Sequence, residues 1–236
     1  MVNGILRATR RGLGIHAYFG QIYNYMGGGL LMSALTAWLS TKEPLVSLFY
    51  RINENGLSLS LLGWLMVLAP FIVIFLIGNA TSKLNIQQAK LWFWLFSALM
   101  GVGLSNILFF YSGVAVFQAF LVTAGMFFAL SLLGAKMERN LDGMGRFLMM
   151  GLIGVILAGI INLFVGSGLL NFVLNVLAVA IFVGLTVYDT NKLKAIYNPS
   201  DSDEIVHAKA IQGALALYLD FINLFRLMLY FLDNRR

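Results

Sequence analysis

Residues 147–188 read FLMMGLIGVILAGIINLFVGSGLLNFVLNVLAVAIFVGLTVY, without a single Asp, Glu, Lys or Arg. One helix needs about 20 apolar residues to cross a hydrocarbon core of about 30 Å. The stretch therefore holds two crossings, 147–167 and 168–190, which reverse at Gly166-Ser167-Gly168. Glycine supplies the backbone freedom that so tight a reversal needs. Working outward, further apolar runs fall at 22–40, 61–79, 91–111, 113–134 and 208–232. The runs 91–111 and 113–134 are joined by almost nothing around Tyr111-Ser112-Gly113. The expected fold is an all-α integral membrane protein: one seven-transmembrane helical bundle over 22–236, preceded by a cytosolic segment, 1–21.

Composition agrees. Of 236 residues, 60% are apolar and only 11% are charged, and mean hydropathy is +0.84. A soluble domain carries roughly 25% charge and 45–50% apolar residues. With so much apolar surface, the chain needs lipid as its solvent. The net charge of +6 would suggest nucleic acid in a soluble protein; here it is read as cytoplasmic Lys and Arg. With the N-terminus inside, the cytoplasmic segments hold Arg7, Arg10, Arg11, Lys83, Lys90, Lys136, Arg139, Arg146, Lys192, Lys194 and Lys209. The opposite side holds Lys42, Arg51, Arg235 and Arg236, and Arg226 lies within the last span. The bias of eleven over four gives an N-in orientation. Residues 1–21 lack the apolar core of a signal peptide.

Several chemistries are excluded. With no cysteine there is no disulfide, thiolate nucleophile or cysteine metal site. Both histidines, His16 and His207, lie outside the spans, so no serine–histidine dyad forms within the membrane. There is no HExxH, no GxxxxGK and no zinc spacing. The chain reads as a non-enzyme without a resident cofactor. The small residues Gly151, Gly154, Ala158 and Gly159 of the fifth span read as helix packing.

The informative residues are ionisable groups at membrane depth, because insertion scales put Asp at a helix centre at about +2.5 to +3.5 kcal/mol. Asp220 sits in ALALYLDFINLF, 214–225. On a helix, Gly213, Ala216, Asp220 and Asn223 share a small, polar face, which should line the bundle interior or a wet cavity. Asp189 follows the run ending at Tyr188. Two carboxylates held close in low dielectric cannot both ionise cheaply, so such a pair shares a proton. Fully deprotonated, it offers hard oxygen ligands to a cation. Helix counting does not bring them together. In a straight hairpin about Asn198-Pro199, Asp189 is about 8 residues from the turn and Asp220 about 17, an offset of about 13 Å at 1.5 Å per residue.

Val187-Tyr-Asp189-Thr-Asn, followed by Ala216-Leu-Tyr-Leu-Asp220-Phe-Ile-Asn-Leu-Phe225, resembles the signature of the Bax inhibitor-1 family, bacterial members above all. Gly134-Ala-Lys-Met and Phe19–Gly28 are similar too. The resemblance implies seven helices with the last surrounded by the other six, and an aspartate pair, Asp189 and Asp220, linking spans six and seven. It implies that this pair senses pH and controls a calcium leak across the bacterial inner membrane. Calcium is then a transported ion, with Asp189 and Asp220 as its metal ligands and Asn223 in support. In the family a basic residue near the end of span two latches the first aspartate. Here Lys83 stands in that region and no arginine does; lysine lacks the bidentate fork of a guanidinium. The expected partners are membrane lipids, calcium ions and protons, and no nucleic acid. A second expectation is a non-conducting regulator that restrains a membrane protease through the loops at 135–146 or 191–207.

Overall fold

The computed structural model describes residues 2–53 and 56–233. The elements are α1 (Val2–Leu39), α2 (Leu45–Phe49), β1 (Tyr50–Asn53), β2 (Gly56–Leu59), α3 (Leu61–Ser82), α4 (Ile86–Leu104), α5 (Ile107–Phe110), α6 (Gly113–Lys136), α7 (Asp142–Val165), α8 (Gly168–Ile196) and α9 (Asp203–Asp233). Among the described residues six helical segments are long and apolar enough to cross a membrane: α3, α4 with α5, α6, α7, α8 and α9. They coincide with the second to seventh runs of the sequence. The first run, 22–40, falls short of that standard: Asn24, Gly27–Gly29, Ser33 and Thr36 dilute it.

Helix α1 runs unbroken from Val2 to Leu39, through residue 21, where the expected cytosolic segment ends. Only its backbone is described as far as residue 13, so the side chains of Arg7, Arg10 and Arg11 lie outside the description, as do Arg235 and Arg236. The all-helical expectation also omits a small hairpin. β1 and β2 pair antiparallel, Tyr50 opposite Leu59 and Asn53 opposite Gly56. Tyr50 turns inward and its hydroxyl meets Ser105 Oγ at 2.8 Å. The alternation of Tyr50 and Arg51 is too short to register against the surrounding helical pattern.

The chain divides into two compact units. The first comprises residues up to Gly113 and Tyr197–Tyr218; the second comprises Val114–Ile196 and Leu219 onward. In the first, α1 buries Tyr18, Ile22, Met26, Gly29, Ser33 and Ala37, and Ser40 just past its end continues the line, a single stripe at three- and four-residue intervals. Small residues let α1 and α4 approach closely: a Cβ on Gly101 would collide with Ser33 and Thr36, and one on Gly29 would lie 2.8 Å from Ser97 Oγ. Ser33 Oγ donates its one proton to a carbonyl, Ser97 O at 2.6 Å or Gly29 O at 2.9 Å. The Tyr218 hydroxyl, 2.6 Å away, must therefore donate to Ser33. That bond fastens the first half of α9 to α1.

In the second unit, α6 buries Ala115, Ala119, Thr123, Phe127, Ser131 and Gly134, again one stripe. Of α7 only Gly145 is buried, while Phe147 and Phe164 are 70% and 87% exposed. In water such a surface would aggregate; against lipid tails it is the expected outer face. The expected small-residue contact of α7 is met only in part. Gly151 faces Ile181 at 3.3 Å, and nothing lies within 4 Å of Gly154 or Gly159. α9 differs from every other span. Ala210, Ile211, Ala214, Leu217, Tyr218, Asp220, Phe221 and Leu224 are all buried, a face of about half its circumference at 3.6 residues per turn, with Gln212 and Arg226 exposed on the opposite side.

Candidate functional site

The site lies in the second unit, where α6, α8 and the latter half of α9 meet. Gly134, in the last turn of α6, lets that helix touch the backbone of α8: an added Cβ would collide with Val187 O and stand 3.0 Å from Thr190 Cβ. Gly145 accepts the ring of Tyr188 in the same way, and Gly184 the side chain of Leu148, at 2.7 Å from its Cδ1. These close approaches fix the stretch of α8 that carries Asp189.

The next turn of α8 adds polar clamps. Asn191 Nδ2 donates to Met137 O at 2.8 Å and Gly134 O at 3.3 Å. Lys194 Nζ donates to Ala135 O at 2.8 Å and Met137 O at 3.2 Å. The last carbonyls of a helix have no intrahelical partner, and a cation there also opposes the negative end of the helix dipole. Asn191 and Lys194 together thus cap α6 from α8 and set the register of one helix against the other. From sequence Lys194 is no more than a cytoplasmic charge, since partners 54 to 59 residues apart leave no local spacing to read.

Asp220 is 4% exposed, while Asp189 is half-buried. Their carboxyl groups stand close enough for each to act on the other. Neither carboxylate has a donor of its own, so a hydrogen bond between them exists only with a proton on one of them. Asp220 Oδ2 receives no N–H or hydroxyl donor from the protein. The axial offset found by counting persists, because α8 ends 7 residues after Asp189 and α9 begins 17 before Asp220. Residues 197–202 absorb it: six residues can extend over about 20 Å. That connection is tied by the Lys209–Asp201 ion pair at 2.5 Å. The ammonium of Lys192 lies 5.5 Å from the centre of the Tyr188 ring and acts on the charge of Asp189.

Around the pair stand hydroxyls. Thr186 Oγ1 donates to Phe182 O at 2.8 Å and Thr190 Oγ1 to Thr186 O at 2.9 Å. Thr190 Oγ1 also approaches Ser131 Oγ at 3.5 Å. Asn223, one turn beyond Asp220, donates its Nδ2 to Leu219 O at 2.8 Å, which leaves its carbonyl oxygen as the free acceptor type on that face. Lys83 is exposed at the C-cap of α3, in the first unit. Among the described residues no three His, Cys, Asp or Glu side chains gather as a metal cluster. The pair can therefore offer a cation two carboxylates, and carbonyls and water must supply the remainder of the 6–8 oxygens that calcium takes.

A family model described as Inhibitor of apoptosis-promoting Bax1 matches residues 15–236. Inner membrane protein YbhL of Escherichia coli is 37% identical over 225 residues, covering 94% of each chain. Protein RP147 of Rickettsia prowazekii is 34% identical over 224 residues, 94% of this chain and 92% of its own. A protein of Borreliella burgdorferi is 36% identical over 220 residues, 93% and 92% of the two chains.

Proposed function

The chain belongs to the Bax inhibitor-1 family, and from that premise we propose that it is a pH-sensitive cation leak, with calcium as the transported ion and Asp189 and Asp220 as its gate. One observation carries the reading: two carboxyl groups set together across two spans, with one member, Asp220, sealed from solvent. A buried acid is costly in lipid, and a proton shared between two acids relieves that cost. Losing the proton leaves two like charges in low dielectric, which drives α8 and α9 apart or draws in a cation. The same event thus opens a route and creates the ligand for what passes along it. Weak, partial coordination by two carboxylates suits passage rather than storage.

In this reading the C-terminal part of α1 is a seventh crossing. Its buried stripe reaches Ser40, and its length from residue 22 to Leu39 matches a span. The N-terminus lies in the cytoplasm on the strength of the basic-residue bias, and the membrane is the inner one, as the name of the E. coli relative suggests. α9, the most buried of the six spans, is the central helix.

Purified full-length protein in calcium-loaded vesicles provides the test. The parent leaks calcium with a pH-dependent rate. Asp220→Asn keeps the size and a hydrogen-bonding group but removes the charge, and its leak is independent of pH. A variant that leaks and responds to pH like the parent defeats the reading.

A further inference from the structure

We propose that Thr123 and Asp220 hold a water-sized oxygen site between α6 and α9, one station beyond the aspartate pair toward the Gly113 end of α6. Thr123 is fully buried, yet its Oγ1 has no hydrogen-bond partner in the protein. That sets it apart from the other buried serine and threonine hydroxyls described. Ser33, Thr81, Ser97, Thr186 and Thr190 each bond a carbonyl one turn back in their own helix, as helical Ser and Thr usually do. Thr123 forgoes that bond, which leaves its hydroxyl without a partner in the protein.

The second orphan is Asp220 Oδ2. A carboxylate has about four acceptor positions, and the proton shared with Asp189 uses at most one of them. The packing brings the two orphans to one level. The Phe221 ring meets Phe120 at 5.7 Å and Phe127 at 5.6 Å, edge to face in both cases. Those residues are seven apart on α6, and Thr123 lies between them on the buried stripe. Phe221 is therefore seated at the level of Thr123, and Asp220 is its neighbour in the chain. Thr190, beside Asp189, meets α6 two turns lower, at Ser131.

Buried polar atoms are nearly always hydrogen-bonded, to protein or to ordered water. A water between Thr123 and Asp220 satisfies both: it donates to the carboxylate and accepts from, or donates to, the hydroxyl. On the leak reading, which this deepens, the same position takes one ligand oxygen of a small hydrated cation on its way to or from Asp220.

The test uses full-length protein in detergent and does not depend on ion flux. Thr123→Val keeps shape and removes the hydroxyl. A bridged hydroxyl makes T123V melt about 2–4 °C below the parent. In an Asp220→Asn background the same change moves the melting point by less than half as much, because the partner is already altered. A T123V melting point equal to or above the parent's means a dry hydroxyl, whose loss is neutral or stabilising, and overturns the proposal. So does full additivity with D220N. If D220N cannot be isolated, T123S against T123A asks the same question: serine is the more stable of the two if the site is wet, and no more stable than alanine if it is dry. In calcium-loaded vesicles T123V lowers the leak about tenfold and keeps its pH response. An unchanged leak overturns the ion-path part, whereas a parent that does not leak defeats the functional reading and leaves the water site standing.

Discussion

Gly134→Ala provides the sharpest structural prediction. The substitution adds one methyl group and, on its own helix, favours folding by about 1 kcal/mol, the difference in helix propensity between glycine and alanine. Any destabilisation must therefore come from what the methyl meets. It meets backbone, since the new Cβ collides with Val187 O and lies 3.0 Å from Thr190 Cβ. Backbone cannot rotate away, so α6 and α8 must separate by up to about 1 Å. Overpacking of that kind costs about 1–3 kcal/mol. Separation also stretches the bonds from Asn191 and Lys194 to the end of α6, which stand at 2.8–3.3 Å, and weakening them adds about 1–2 kcal/mol. Net of the propensity gain, G134A should cost about 2 kcal/mol, or about 4–8 °C in melting temperature for a chain of this size. Thermal unfolding of the purified protein in detergent measures it. Gly154→Ala is the control, because nothing lies within 4 Å of Gly154; it should match or exceed the parent. If G134A melts with G154A, the close approach of α6 and α8 is wrong.

Three other outcomes follow from named contacts. Tyr218→Phe removes the donor to Ser33 deep in the first unit and should cost about 1 kcal/mol; Ser33→Ala in the Y218F background should add less than it does alone, as a double-mutant cycle in unfolding would register. Lys194→Met keeps the stem and deletes the cap on Ala135 and Met137 carbonyls, and should destabilise by about 1 kcal/mol after allowance for its partial exposure; equal stability of K194M and the parent would remove the cap from the account. The chain is free of cysteine, so single cysteines report topology cleanly: Gly143→Cys should react with an impermeant thiol reagent only from the cytoplasmic side, and Ser167→Cys only from the other, the reverse pattern excluding an inward N-terminus.

The spans were legible because lipid imposes a compositional demand that every helix meets separately. The stretch 147–188 shows it most plainly, with its glycine-flanked reversal realised at Gly166, in a left-handed conformation at φ 68°. The continuity of α1 was less visible, since the stripe Tyr18–Ile22–Met26 crosses from polar into apolar composition without a change of period. Asp189 and Asp220 could be picked out by cost alone, but their meeting could not. It depends on an axial stagger that the six residues 197–202 permit and do not dictate. The cap that Asn191 and Lys194 place on α6 was hidden for a related reason: its acceptors are backbone carbonyls, which every residue has. The unbonded hydroxyl of Thr123 is further still from sequence, because a threonine on a buried helical face ordinarily bonds its own backbone.

The central claim is that one proton is held between Asp189 and Asp220 within the membrane. Infrared difference spectroscopy of the full chain in lipid, across a pH step, reads the protonated carboxyl stretch directly. The shared proton gives the parent a carboxylic acid band that shifts in frequency in both D189N and D220N, since each removes one partner of the hydrogen bond. A parent without that band, or one whose band is unmoved by both substitutions, would contradict it.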